Sequence, residues 1–290
     1  MKNGFSLTEL LVTLVLSSFI CLSLIKLLIH YQDQRRYHQT EFQINSQLQF
    51  AATILRQAIL NSGYLGCGTL QTEQVHMHGL TNPPAYFMQG YYTQLPPFLQ
   101  GHPLAKSDVI RLTQAVPEGV YLTKSMLEKN TALEVIRNPF EMHEWLIISD
   151  CHHADIFPVT SVQGLWLHHP PLNNLYQNTT QVFTWQDESY FIAETKRSYS
   201  NRSPILALYK MNAAPKQNDT PREEELVEDI SKLEILYANN ANASFMSAKQ
   251  VTDWNAIKIV KITLTAQLPY QASWLTERRT FFVTLRNRLI

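Results

Sequence analysis

Net charge is missing from this chain: 24 basic side chains face 24 acidic ones over 290 residues. No overall field therefore draws it to nucleic acid or to an anionic surface. Glycine is scarce too, at 9 residues, against 13 tyrosines and 13 phenylalanines. That balance excludes a collagen-like or disordered chain and points to packed strands. No Gly-x-Ser-x-Gly elbow occurs, nor a glycine-rich phosphate loop ending in Lys-Ser or Lys-Thr. His143-Glu144 opens like a metalloprotease helix, but Ile147 stands where the second histidine belongs. The ten histidines include His152-His153, His168-His169 and His76-x-His78. Neighbours on a strand point to opposite faces, and a single pair makes no zinc site. Surface or loop histidines are expected, with no metal, no cofactor and no enzymatic chemistry.

What is present lies first at the front. Residues 10–29 form an apolar run whose only charge is Lys26. Twenty residues at about 1.5 Å rise span roughly 30 Å, the hydrocarbon thickness of a bilayer. No small-x-small cleavage site follows the run, as a secretory signal would require. The plausible processing point, between Gly4 and Phe5, precedes it, so cleavage there would keep the membrane helix. Glu9 stands at the head of that helix. A carboxylate at depth costs on the order of 2–3 kcal/mol and wants a partner. Cutting after Gly4 would create an α-amino group on Phe5, four residues before it. In a stack of such helices, Glu9 of one subunit would neutralise the Phe5 amine of another and set the axial register. Lys2 ahead of the run marks a cytoplasmic N-terminus, although Arg35 and Arg36 follow the run and oppose a simple charge rule.

Gly4-Phe5-Ser6-Leu7-Thr8-Glu9-Leu10 resembles the class III signal of type IV pilins and type II secretion pseudopilins. The resemblance implies a prepilin peptidase that cuts after Gly4 and methylates Phe5, with Glu9 guiding assembly. Thr8 departs from the aliphatic residue usual before the glutamate. Cys21 lies within the apolar run and is expected as a free thiol acting as a small hydrophobe. Cys67 and Cys151 would be exported into an oxidising periplasm. Their pairing would close a long loop worth about 4–5 kcal/mol; two separate buried thiols are the alternative.

The helix is expected to continue past the membrane. Residues 31–60 lack proline and glycine, and Leu48, Ala51, Ala52, Leu55 and Ile59 form a helical apolar stripe. Gly63 supplies the stop. The predicted organisation is a leader at 1–4, a long helix at 5–62 (membrane-spanning over about 10–29), an aromatic and proline-rich connector at 63–107, and a β-rich head at 108–290. Short β-prone runs recur through the head, notably 109–112, 145–148, 190–193, 205–209, 233–237, 257–264 and 280–285. Residues 213–225 read as an exposed loop. The fold class is α+β, one helix laid on an antiparallel sheet. Trp166, Trp185, Trp254 and Trp274 read as core or interface anchors. Arg278, Arg279, Arg286 and Arg288 are read as the outward face of a final strand, not a nucleic-acid patch.

Later segments narrow the resemblance. Asn61-Ser62-Gly63-Tyr64-Leu65-Gly66-Cys67, Ser149-Asp150-Cys151 with Ala154-Asp155-Ile156-Phe157, and residues 279–288 are similar to segments of PilW-type minor pilins. This implies a subunit held in the inner membrane with a periplasmic head, then carried into the pilus fibre near its tip. Its implied partners are other minor pilins, the major pilin, the prepilin peptidase and possible tip adhesins. A J-type pseudopilin of a type II secretion system is the alternative within the superfamily; a tip adhesin or DNA-uptake module is the alternative outside it.

Overall fold

The computed structural model describes residues 7–66, 74–79, 87–91, 99–102, 107–200, 202–212, 222–240, 242–270 and 273–285. One helix, α1 (Leu7–Asn61), runs unbroken for 55 residues, about 80 Å. It ends where the sequence says it should. Ser62 donates its N–H to the Ile59 carbonyl, and Gly63 takes φ +75° and donates to the Thr113 carbonyl. The second half of α1 buries Ile44, Leu48, Ala51, Leu55 and Ile59 completely or nearly so. The exposed face carries Gln39, Gln43, Asn45, Ser46 and Gln49, while Gln47 is drawn inward to donate to the Asp229 carboxylate at 2.7 Å.

The strands are β1 (Val75–Met77), β2 (Met88–Tyr91), β3 (Val109–Ala115), β4 (Val120–Tyr121), β5 (Leu133–Glu134), β6 (Trp145–Ser149), β7 (Ala154–Pro158) and β8 (Ser161–Gln163). They continue as β9 (Trp166–His168), β10 (Gln181–Ser198), β11 (Pro204–Asn212), β12 (Glu223–Glu228), β13 (Ile230–Ala238), β14 (Ile259–Tyr270) and β15 (Ser273–Thr284). The single antiparallel sheet expected from the sequence is replaced, among the described residues, by three sheets. A nine-stranded one follows β1-β7-β6-β10-β11-β12 with β2, β3 and β4 branching from it, beside β13-β14-β15 and β5-β9-β8. One pairing in it, β1 with β7, is parallel. The expected loop over 213–225 is also corrected: Glu223–Glu228 is strand β12, paired with β11. Three consecutive glutamates hold an extended edge because Arg197 pairs with Glu225 and Glu228, and Lys210 with Glu224. Residues 213–221 of that expectation lie outside the described residues.

β10 organises the head. Its 18 residues, roughly 60 Å of extended chain, pair with β4 and β6 at the start and with β3 and β11 afterwards. Tyr190 and Ile192 point into the main core under α1, while Phe191 and Ala193 point into a smaller one with Leu99 and Val109. Both faces are covered, so burial along it is nearly continuous instead of alternating. The connector supplies Leu99 to the second face, while its β2 extends the same sheet beside β3. A third core, around Val120, Leu133, Leu146, Phe157 and Leu167, includes no described residue of α1. β14 runs antiparallel to the helix: the Tyr270 hydroxyl donates to the Asp33 carbonyl at 3.2 Å, whereas Arg56 sits over the Phe281 ring, whose strand partner is Ile262.

Candidate functional site

The first half of α1 is the part of the molecule that its own fold leaves unsatisfied. Leu11, Leu14, Leu16, Phe19, Ile20, Leu22, Leu27 and Ile29 are all more than half exposed, and none of the most apolar stretch is buried against the head. From Leu11 to Ile29 the helix rises about 28 Å, long and apolar enough to cross a membrane. Its serine hydroxyls are already satisfied internally. The Ser17, Ser18 and Ser23 hydroxyls donate to the carbonyls of Leu14, Val15 and Phe19 at 2.7–2.9 Å. Hydrocarbon offers no hydrogen bonds, so such back-bonding lets serines sit in an apolar surface. This detail was missed from sequence; three serines inside an apolar run long enough to be a helix were its signal. Cys21 is a free thiol, exposed on the same surface.

Glu9 lies in the first turns of α1, and its side chain falls outside the described residues, as do Gly4, Phe5 and Cys67. Cys151 is disulfide-bonded. It occupies the tight β6–β7 turn at φ +69°. Asp150 builds that turn, its carboxylate accepting the N–H groups of His152 and His153 at 3.0 and 2.7 Å. Both histidines are therefore exposed turn residues. His76 and His78 flank Met77 on and just after β1. Among the described residues no group of three or more His, Cys, Asp and Glu side chains is placed to hold a metal ion.

The junction after α1 is locked by named contacts. The Ser62 hydroxyl donates to the Phe87 carbonyl at 2.8 Å, and the Ala115 N–H to the Tyr64 carbonyl at 2.7 Å. Gly66 sits at φ +96°, where a Cβ would come within 2.2 Å of the Phe183 ring. Two requirements, a left-handed backbone and a flat aromatic neighbour, thus fix glycine there.

Sequence reasoning saw no paired acids, and so missed Asp155. This fully buried carboxylate accepts from His78 Nε2 (2.7 Å), Tyr176 OH (2.7 Å), Asn173 N (3.0 Å), and Asn174 N and Nδ2 (3.2 and 3.0 Å). Burial alone would push its pKa up; the donors outweigh burial and hold it below the ordinary carboxylate range. The cluster binds β1, β7 and residues 173–176 together. A second buried pair joins β3 to β10, the Arg111 Nε donating to Asp187 Oδ1 at 2.7 Å while Nη2 meets Oδ2. Of the tryptophans, Trp185 and Trp254 are core, whereas Trp166 and Trp274 are 38% and 43% exposed. Arg278 and Arg279 are exposed on β15; Arg286 and Arg288 lie outside the described residues.

No protein-family model, no curated protein and no solved structure matches this chain.

Proposed function

We propose that the chain is a PilW-like minor pilin, an assembly subunit of type IV pili and not an enzyme. The observation that carries the reading is the processing signal at residues 4–10 running directly into a helix whose apolar half has no cover in its own fold. On this reading the subunit waits in the inner membrane with its head in the periplasm. Prepilin peptidase cuts between Gly4 and Phe5 and methylates Phe5. It then joins other minor pilins to prime the fibre and stays at or near the tip, beside the major pilin. Leaving the bilayer costs little because neighbouring helices bury the same apolar face. Glu9, pairing with the Phe5 amine next door, sets the register. The disulfide of Cys151 is assigned to Cys67.

The outer half of α1 supports the reading independently. Phe42 is 75% and Phe50 58% exposed, on the part of the helix that packs on the head. Phe42 stands thirteen residues past Ile29, about 20 Å above the apolar run, out of reach of lipid. Exposed aromatics there suit contacts with neighbouring subunits.

N-terminal sequencing of membrane-extracted protein should begin at a methylated Phe5; an intact Met1 would refute processing. A deletion strain separates the alternatives. Loss of pili and twitching with secretion intact is expected. Loss of secretion with pili intact would instead assign the chain to a type II secretion system as a J-type pseudopilin. Normal pili with lost adhesion or DNA uptake would make it a tip module.

A further inference from the structure

The end of the head nearest the apolar helix carries a rim of aromatic and basic side chains. Tyr270, the last residue of β14, donates its hydroxyl to the Asp33 carbonyl at 3.2 Å and meets the Tyr37 ring edge-on at 5.6 Å. Asp33 lies four residues past Ile29, about 6 Å along the helix axis. The headgroup layer on each side of a bilayer is about 5–7 Å deep, the difference between its full and hydrocarbon thickness shared by two faces. The end of the β14–β15 pair is therefore level with that layer whenever residues 11–29 span the core. Trp274, the second residue of β15, is 43% exposed there, with its ring 5.4 Å from that of Tyr199 just past the end of β10. Arg36 borders the same cleft as Asp33 and Tyr270, Arg202 lies in the turn after Tyr199, and Arg35 is exposed at the same level of the helix on the side of Phe42. The neighbouring acids are the half-buried Asp33 and the buried Asp229, which accepts the Tyr199 hydroxyl.

An indole half in contact with protein and half open, at interfacial depth, near exposed guanidinium groups, matches what phospholipid surfaces select: amphipathic rings at the carbonyl level and cations at the phosphates. We infer that Tyr270, Trp274 and Tyr199, with Arg35, Arg36 and Arg202, seat the head on the phospholipid headgroup layer before assembly. The head is then held by two attachments, the helix and this rim, which fixes its tilt and presents the outer face of α1, with Phe42, to incoming subunits. The inference rests on the membrane-anchored reading above and adds the lipid surface as a second partner of the head.

The chain suits a direct test, because its five tryptophans include none in α1. Quenching by lipid therefore reports on the head alone. The full chain is reconstituted in vesicles of phosphatidylethanolamine and phosphatidylglycerol containing lipids brominated near the carbonyl or deep in the acyl chain, and vesicle flotation is checked first. The shallow quencher should dim the wild-type chain about two-fold more than the Trp274→Phe variant, as expected for an interfacial indole, with the deep quencher weaker. Trp166→Phe should leave the lipid-dependent quenching intact. Flotation with quenching indifferent to Trp274→Phe would overturn the inference and leave the membrane helix standing. Failure to float would remove the membrane reading and the inference with it. If the Trp274→Phe variant misfolds, hydroxyl-radical footprinting of the unaltered chain decides. Trp274 should be several-fold less oxidised in vesicles than in amphipol while Trp166 is unchanged; equal oxidation of Trp274 in both would overturn the proposal.

Discussion

Asp155 shows how much of a fold one buried side chain can organise. The donors that reach it come from two stretches far apart in the chain: His78 after β1, and Asn173, Asn174 and Tyr176 in the segment after β9. Asn at this position would turn an amide N–H₂ toward groups that are themselves donors. Asp155→Asn should therefore cost on the order of 2–3 kcal/mol at neutral pH, the penalty for unpaired buried donors. The sign of the pH dependence follows from the depressed carboxyl. A group whose folded pKa lies below its unfolded value of about 3.9 contributes its stability in full above that value and loses it as pH falls through the folded one. The gap in melting temperature between wild type and variant should thus be widest near pH 7 and shrink below about pH 4, measured by circular dichroism of the detergent-solubilised chain. A gap of constant size from pH 7 to pH 3 would show that the carboxylate's charge is not what the site uses. None of this was legible in the sequence. Acids scattered at 150, 155 and 187 give no hint of which one the topology will bury.

Among the elements, α1 was the most legible and the sheets the least, for reasons of range. The stripe Leu48, Ala51, Ala52, Leu55 and Ile59 is a local pattern, and all five are buried where the 3.6-residue period puts them. Gly63 as the stop is likewise local. Strand pairing is not. Nothing in Glu223-Glu224-Glu225 says that Arg197 and Lys210 will be opposite, so the segment reads as a charged loop until β10 and β11 are in place. The same holds for the connector, whose Leu99 is buried only because Phe191 needs a cover. The two halves of α1 also make a direct comparison possible. Leu55 is fully buried and Leu16 is 57% exposed, in the same helix and with the same side chain. Leu55→Ala should destabilise the head by about 2–5 kcal/mol, the cost of a cavity in a packed core. Leu16→Ala should leave head unfolding unchanged within about 0.5 kcal/mol. Chemical denaturation followed by tryptophan fluorescence measures both, since the tryptophans all lie in the head. Equal losses would mean that the apolar half packs on the head after all.

At the scale of the whole molecule, one chain contains two regions that obey different solvents. Residues 44–59 of α1 are the inner wall of the main core, with Ile235, Tyr237, Val260 and Ile262 opposite them. Residues 11–29 expose apolar side chains in every direction, and none of the most apolar stretch is buried among the described residues. At roughly 25 cal/mol per Å² of apolar surface, leaving that length of helix in water would cost tens of kcal/mol, more than the net stability of a typical domain. The full chain therefore needs hydrocarbon, detergent or other helices around its front end, and the head does not. The first contact between the two regions, Tyr270 with Asp33, also marks where they can be separated. A chain beginning at residue 30 keeps that contact and every buried side chain of the main core. It should express as a soluble monomer whose melting temperature is within about 3 °C of the full chain in detergent, as expected when no packed group is removed. A chain beginning at residue 50 loses Ile44 and Leu48 from the core and should melt well below it or fail to fold. Analytical ultracentrifugation and thermal unfolding of the two truncations check both outcomes. If the longer one aggregates or unfolds, the front of the helix is part of the head's own stability, and its uncovered surface is not reserved for a membrane or a neighbouring subunit.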